Sequence, residues 1–560
     1  MAHPQMTAPA PTPRAAPART VADVVGETLA AQGVRDVFGL LGSGNMVVTE
    51  ALVARGATLH HSRLEAGAIT AADGYARVSG RVGVVSVHQG PGLTNTMTGL
   101  TEAAKSRTPL LVLAGETPAA ALTSNFRIDQ HGLVESVDAI AERLHSPETA
   151  ADDALRAYER AQTERRPVVL MLPIDIQARP PAQTSPSRAP RPRLSAPAAP
   201  SVTEAAELLN RAQRPAIIAG RGAVLAQAGR ALEALGQKTG AILATSAPAN
   251  GLFAGLPYAL GISGGFASPH AQALLPQADV VLVAGASANQ WTTRHGKLIS
   301  KTAKVIQIDV EPRAISRNWP ADVALVADVN EAAKALTDAT RQKPGWRTGG
   351  LAKEIASRRW TSDPYEDEST DEFIDPRTLS IALNALLPRN RAVVVDSGHF
   401  MGYPSMYLDV PDAESWVFMN GFQAVGLGLG AGIGASIAKP GRPTVVAVGD
   451  GGAFMALQEF ETAARLKLEL LVVIYDDAAY GAEVHHFEPM GYDVARVRFP
   501  DTDLASIARA AGCKATTIRN PDELQIVEEW LANPHGPLVL DAKVNPTICA
   551  EWLSEAFRGG

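Results

Sequence analysis

The chain has 560 residues, enough for about three to four domains. Its 46% hydrophobic and 19% charged content suits a globular protein with a large core, and its net charge of −7 argues against a nucleic-acid partner but allows an anionic small molecule in a local pocket. Two cysteines, Cys513 and Cys549, leave no disulfide framework and fit a cytoplasmic, reducing compartment, and no apolar run reaches the ~18 residues of a membrane span. Residues 1–19 are rich in Pro and Ala, lack the apolar core of a secretory signal, and are expected to form a disordered tail. A first domain is expected over residues 20–180. Thr20 opens its first helix, with Asp23 in the first turn and Gly33 after the end. Strands are expected at Val37–Phe38, 57–61, Val82–Val87, Leu110–Ala114 and Val168–Leu172. Glu65 leads a helix from Ala66 to Ser79, closed by Gly80. Residues 181–200 form a Pro-rich linker. The second domain, 201–340, opens with Ser201 and Glu204 as a capping box, then places buried strands at Ala216–Gly220, Ala241–Thr245, Val280–Gly285 and Val305–Ile308. Polar residues 341–374 read as a second linker. Asp375–Pro376 starts the third domain, 375–541, whose first strand is Val393–Val395. The tail 542–560 is expected to pack over a site or a partner. Alternating strands and helices give an α/β class with three doubly wound parallel-sheet domains.

The chemistry concentrates between Pro443 and Gly481. Thr444–Val448 is a buried strand, and Gly449, Gly451 and Gly452 surround Asp450, which predicts a tight turn that a ligand can approach. Met455–Leu466 has helical periodicity, with Leu457, Phe460, Ala464 and Leu466 on its apolar side. Leu470–Tyr475 is a second strand, ended by Asp476–Asp477. This βαβ unit places an acid at the carboxyl end of each strand, the edge at which open parallel sheets bind ligands. Two carboxylates beside a helix N-terminus suit a hard divalent cation that also grips a phosphate.

Asp450 and Asp477, 27 residues apart, form a pattern that resembles the GDG…NN motif of thiamine-diphosphate enzymes, with Asp476–Asp477 in place of the usual asparagines. Residues 65–95, EAGAITAADGYARVSGRVGVVSVHQGPGLTN, resemble the pyrimidine-binding half of the same family, in which a glutamate precedes AADGYAR and a GPGxTN turn follows. The resemblance covers about residues 20 to 545 and comes nearest to the acetolactate-synthase-like and benzoylformate-decarboxylase-like group. It implies a pyrimidine-binding, a central Rossmann-like and a diphosphate-binding domain, in that order. It also implies Mg²⁺ held by Asp450, Asp477 and the Ala479 carbonyl, with Gly449, Gly451, Gly452, Tyr480 and Gly481 around the cofactor. Glu65 would bond the aminopyrimidine N1′, Val425 would prop the bent cofactor, and the Gln423 carbonyl would accept from its amino group. The cofactor of this group lies between two subunits, so a homodimer or a dimer of dimers (a homotetramer) is implied, with Glu65 and Asp450 of one site on different chains.

FGLLGS, residues 38–43, resembles the FGxPGS of benzoylformate decarboxylase, and His88 falls at that enzyme's active-site histidine. Its second histidine is not matched: Thr292 stands there, with His295 three residues on. Gln89 is a further candidate; Asp129, Gln130 and His131 lie where carboligases place polar active-site residues, and His485 follows the metal strand. The implied activity is decarboxylation of a 2-oxo acid with transfer of the acyl unit to an aldehyde or second keto acid. Plain decarboxylation and a silent cofactor-binding homologue are the rivals. FAD is left open, with Gly261–Gly265, Gly285 and Arg294 as a candidate groove. Gly426-x-Gly428-x-x-Ala431 formally matches a dinucleotide fingerprint but lacks the preceding strand and turn. Apart from the resemblance, Glu65 also reads as a helix-dipole partner, Ser43 as a turn residue, His88 as a loop histidine, Val425 as helix packing and His485 as a surface group.

Overall fold

The computed structural model describes residues 18–182 and 195–556; residues 1–17 of the tail expected over 1–19, most of the first linker (183–194) and residues 557–560 lie outside them. The first sheet contains β1 (Asp36–Gly39), β2 (Thr58–His61), β3 (Gly83–Val87), β4 (Leu110–Glu116), β5 (Ile140–Arg143) and β6 (Pro167–Pro173). The second contains β7 (Pro215–Ala219), β8 (Ile242–Thr245), β9 (Ala259–Ile262), β10 (Val280–Ala284), β11 (Lys304–Asp309) and β12 (Val323–Val326). The third contains β13 (Ala392–Val395), β14 (Trp416–Phe418), β15 (Thr444–Gly449), β16 (Leu470–Asp476), β17 (Lys514–Ile518) and β18 (Leu538–Lys543). All pairings are parallel. The orders are β2-β1-β3-β4-β6-β5, β12-β11-β10-β7-β8-β9 and β14-β13-β15-β16-β18-β17. The first and third sheets therefore share one topology. Their central strands, such as VVAVG and LLVVIY, are buried along their length because helices cover both faces.

The first and third domains dock through two helices, Glu65–Ser79 and Gly428–Ala438. Small residues let the backbones touch. A Cβ on Gly74 would land on the Ala431 carbonyl, and one on Gly434 on the Ala71 carbonyl. A buried charge clasp supports the crossing. Arg77 donates to both Asp73 oxygens at 2.7 and 2.8 Å, to Glu102 at 2.9 Å and to the Phe418 carbonyl at 2.9 Å. Glu102 in turn accepts the Gly421 and Phe422 N–H groups at 3.1 and 2.7 Å. The clasp thereby fixes the loop that leads to Gln423 and Val425.

Several local expectations are corrected. The second domain's first helix starts at Ala199, with Ala198 as N-cap, so Ser201 caps nothing; Pro200 in the first turn presets the backbone instead. The helix expected over 455–466 is two pieces, Asp450–Met455 and Gln458–Arg465, broken near Ala456. The segment expected as a linker at 341–374 holds a helix, Gly349–Ser357, and is tied down: Arg347 donates to the Ala241 carbonyl at 2.6 Å and Trp346 to that of Pro215 at 2.9 Å. Past β18, Trp552 packs edge-on against Phe266 of the second domain at 5.6 Å, so the tail bridges the second and third domains. Among the described residues no helix is long and apolar enough to cross a membrane.

Candidate active site

The carboxyl ends of β13, β15 and β16 frame a cavity of about 300 Å³. Asp450, Asp477, Ala479, Gln423, Val425 and Tyr480 are among its lining. Asp450 begins a helix directly after β15 and is 7% exposed. Burial first, then the Asp477 and Asp476 carboxylates, push Asp450 up to about 8. Burial, opposed by the Ala479 N–H, pushes Asp477 up to about 7. Two acids at adjacent strand ends, one buried and one part-buried, disfavour joint ionisation, and an oxygen-coordinated dication offsets that repulsion. Among the described residues no group of three or more His, Cys, Asp and Glu side chains is arranged for a metal. A cation here would draw on two carboxylates, backbone oxygen and oxygens of its ligand, the donor set that suits Mg²⁺ with a diphosphate. The residues present therefore fit the cofactor.

The glycines act differently from expectation. Gly449, Gly451 and Gly452 have no positive φ, and Gly449 is the extended N-cap of a helix. Space requires them. A Cβ on Gly451 would lie 2.8 Å from the Tyr480 ring, one on Gly452 2.7 Å from Asp396 Oδ2, and one on Gly481 against Asp477 Oδ2.

Asp396 and His399, at the end of β13, are missed by the sequence reading. Fully buried Asp396 accepts the Ser397, Gly426 and Leu427 N–H groups at 2.9, 2.9 and 3.2 Å, and burial raises it to about 6. It thus pins the loop in which Gln423 has φ +61° and Val425 stands exposed. The Gln423 carbonyl already accepts from Ser397 Oγ at 3.4 Å, with one lone pair remaining. His399 Nε2 accepts the Ala550 N–H at 2.9 Å, so Nδ1 carries the proton of the neutral ring, 3.9 Å from Asp477 Oδ2. Burial pushes His399 down to about 3. Half-buried His485 lies tilted against it, with ring centroids 4.5 Å apart, and is itself lowered by burial. The signal that could have found both residues is their place after a central parallel strand.

A second cluster forms at the ends of β1 and β3 and the start of the helix Glu65–Ser79. Glu65 is buried, with Oε2 accepting from Asn95 Nδ2 at 2.9 Å. His88 Nδ1 donates to the Gln89 carbonyl at 2.9 Å, which leaves Nε2 of a neutral ring to accept the Ser43 hydroxyl at 3.1 Å. The His88 ring rests edge-on against Phe126 at 4.9 Å. Gln89 is buried beside Gly44, its Oε1 unpartnered. Gln130 spends both amide ends as a brace, accepting the Gly90 N–H at 2.9 Å and donating to the Gly115 carbonyl at 3.1 Å. Exposed His131 faces Glu135 at 3.3 Å on its own helix. Among the described residues, none of Glu65, Ser43 and His88 lines the cavity around Asp450.

A larger cavity, about 1630 Å³, lies between the three domains. Ile262, Ser263, Gly265, Gly285 and Thr292 line it. Arg294 instead is held at 3.0 Å from Glu551. Trp291, Met401, Asn420, Gln423 and Trp552 line both cavities, so the groove reaches the Asp450 site. Asn420 there has buried amide N and O atoms without a protein partner, which suits a polar ligand.

Comparison with known proteins agrees with this geometry. Residues 19–141 match the family described as thiamine pyrophosphate enzyme, N-terminal TPP binding domain; 202–336 match its central domain; 396–542 match its C-terminal TPP binding domain. The chain is 32% identical to a probable 2-ketoarginine decarboxylase of Pseudomonas aeruginosa, over 91% of this chain and 90% of that protein. It is 28% identical to a probable acetolactate synthase large subunit of Methanocaldococcus jannaschii, over 96% and 94%. It is 29% identical to a sulfoacetaldehyde acetyltransferase of Alcaligenes xylosoxydans xylosoxydans, over 95% and 93%. With all three domains matched in order, the chain belongs to the thiamine pyrophosphate enzymes, in the group that includes acetolactate synthases, and is a thiamine-diphosphate-dependent transferase or lyase.

Proposed function

We propose that the chain is a Mg²⁺-dependent 2-oxo acid decarboxylase that passes the acyl unit to an acceptor, an aldehyde or second keto acid. The observation that carries this reading is the pair of carboxylates, buried Asp450 and part-buried Asp477, at adjacent strand ends around one cavity. Asp450, Asp477 and Ala479 would hold the metal and through it the diphosphate. Glu65 would hold the aminopyrimidine. When bound, thiamine diphosphate supplies the nucleophile for the keto carbon and the electron sink for CO₂ loss. The protein's part is to bind, orient and manage protons. Buried Glu65 presents a carboxylate steadied by Asn95, and Val425 presents an apolar side chain on a loop that Asp396 pins.

The two clusters stand apart within one chain, which supports a homodimer whose sites each draw on both copies, or a dimer of such dimers. Exposed apolar residues near the two clusters suit such a contact: Phe422, Val425, Phe454 and Tyr480 near one, Met46, Val47 and Phe126 near the other.

Plain decarboxylation is a second reading, favoured by the Ser43–His88 pair. A neutral imidazole that accepts a serine O–H can relay a proton to the acyl carbon in place of an acceptor. His88→Ala is expected to lower turnover on the true 2-oxo acid by ~10²-fold with cofactor affinity nearly unchanged. Lost cofactor binding with normal turnover per bound cofactor would make the residue structural.

The experiment for the reading as a whole is CO₂ release from a panel of 2-oxo acids, 2-ketoarginine included, with and without an aldehyde such as sulfoacetaldehyde. Release that depends on thiamine diphosphate and Mg²⁺ and yields a ligated product supports acyl transfer. An aldehyde product formed regardless of acceptor supports the second reading. No release from any 2-oxo acid contradicts both.

A further inference from the structure

We infer that Asp476 is a positioning residue for the metal-facing turn Asp477–Ala479, made possible by Lys543 on the neighbouring strand. The inference rests on the metal reading above. β16 and β18 are paired so that Asp476 stands directly opposite Lys543. Both are buried. Lys543 Nζ lies 2.6 Å from Asp476 Oδ2, and donates to the Thr502 carbonyl at 2.9 Å. The same ammonium is 2.6 Å from Asp501 Oδ1, on a largely exposed side chain, and 3.2 Å from fully buried Asp541 Oδ2. It thus serves as counter-charge for the buried acids Asp476 and Asp541.

The other Asp476 oxygen faces the turn. Oδ1 accepts the Ala478 N–H at 2.9 Å. Ala478 has φ +51°, in the left-handed region that an alanine keeps only when its surroundings hold it. Asp477 Oδ1 accepts the next N–H, that of Ala479, at 3.2 Å. From the far side, the Phe499 N–H donates to the Ala478 carbonyl at 2.8 Å, and the Tyr480 N–H to the Val497 carbonyl at 2.9 Å. The turn that presents Asp477 and Ala479 to the cavity is therefore clamped from both sides, and Asp476 is the side-chain half of the clamp. An ionised carboxylate makes the stronger bond to an N–H, but a third uncompensated anion beside Asp450 and Asp477 would be costly. Lys543 removes that cost. This is how two aspartates can stand where the family pattern has two asparagines.

The test uses the full-length protein and Mn²⁺ as probe, with free Mn²⁺ read by electron paramagnetic resonance in the presence of thiamine diphosphate. Asp476→Asn is made together with Lys543→Met, because the ammonium would otherwise take the single amide oxygen; this double variant keeps an acceptor for Ala478 and is expected to bind Mn²⁺ within about threefold of wild type. Asp476→Ala removes the acceptor and is expected to lose ~10-fold or more, the scale of other outer residues that orient metal ligands. Amide exchange at Ala478 in the metal-free protein should quicken in Asp476→Ala and stay slow in the Asp476→Asn, Lys543→Met double variant. If Asp476→Ala fails to fold, Asp476→Leu restores the volume without an acceptor and takes its place. Equal losses in the Asn and Ala variants would mean that charge alone matters and would overturn the inference, as would wild-type affinity in both. A wild-type protein that binds no Mn²⁺ would fail the metal reading itself, a result distinct from both.

Discussion

Asp477→Ala is expected to remove Mg²⁺-dependent cofactor binding, with apparent cofactor affinity down by ~10²-fold or more, since Mg²⁺ accepts little departure from octahedral oxygen coordination. The substitution deletes a metal-facing oxygen and also the acceptor for the Ala479 N–H. Asp477→Asn keeps an oxygen in the same place. It removes one negative charge, so it should weaken apparent Mg²⁺ affinity while easing cofactor binding at saturating metal, where diphosphate repulsion dominates. The wild-type protein should bind cofactor poorly without added Mg²⁺. Cofactor titrations across a Mg²⁺ series separate these outcomes. Wild-type behaviour in Asp477→Ala would mean that the metal does not sit at this strand end. Asp476 is a poor substitute ligand, since Lys543 and the Ala478 N–H already occupy its two oxygens.

Glu65→Gln is expected to leave the fold and cofactor binding near normal and to slow C2–H exchange of bound thiamine diphosphate by ~10²-fold or more, the usual scale for a positioned acid–base group. The change is nearly isosteric, and a glutamine oxygen can still accept from Asn95 Nδ2, 2.9 Å away in the wild type. On the proposed reading, what it removes is the carboxylic group that would promote proton movement in the aminopyrimidine. Proton NMR of exchange at C2 on the bound cofactor reads this directly. Unchanged exchange would leave Glu65 as a helix-dipole partner at the start of Glu65–Ser79 and nothing more.

The parallel α/β architecture was legible because its central strands are continuous apolar runs, as in Val280–Ala284 and Leu470–Asp476. The edge strands β5, β9, β12, β14 and β17 were not. They have three to five residues, too few to show a period, and all but β14 are mixed in burial or composition. Asp450 and Asp477 were legible because a βαβ unit fixes the spacing of strand ends. Asp396 and His399 were not, since their roles depend on N–H groups at 426–427 and 550, far along the chain. The glycines around Asp450 were legible, but one reason for them was not: the Tyr480 ring and Asp396 leave no room for a Cβ at Gly451 and Gly452, although none of the three has a positive φ. Gln130 was singled out by the resemblance to carboligases, and the structure adds that both ends of its amide are bound to backbone.

The proposed shared site takes Glu65 from one copy and Asp450 with Asp477 from another. Its most direct test is co-expression of Glu65→Gln and Asp477→Ala chains carrying different tags, with the mixed species isolated through both tags and assayed for thiamine-diphosphate-dependent CO₂ release. In a mixed dimer one site would carry both substitutions and the other neither, so about half of wild-type activity should return although each variant alone is nearly inactive. Mixed dimers as inactive as the single variants would contradict the claim, because each chain would then supply both halves of its own site.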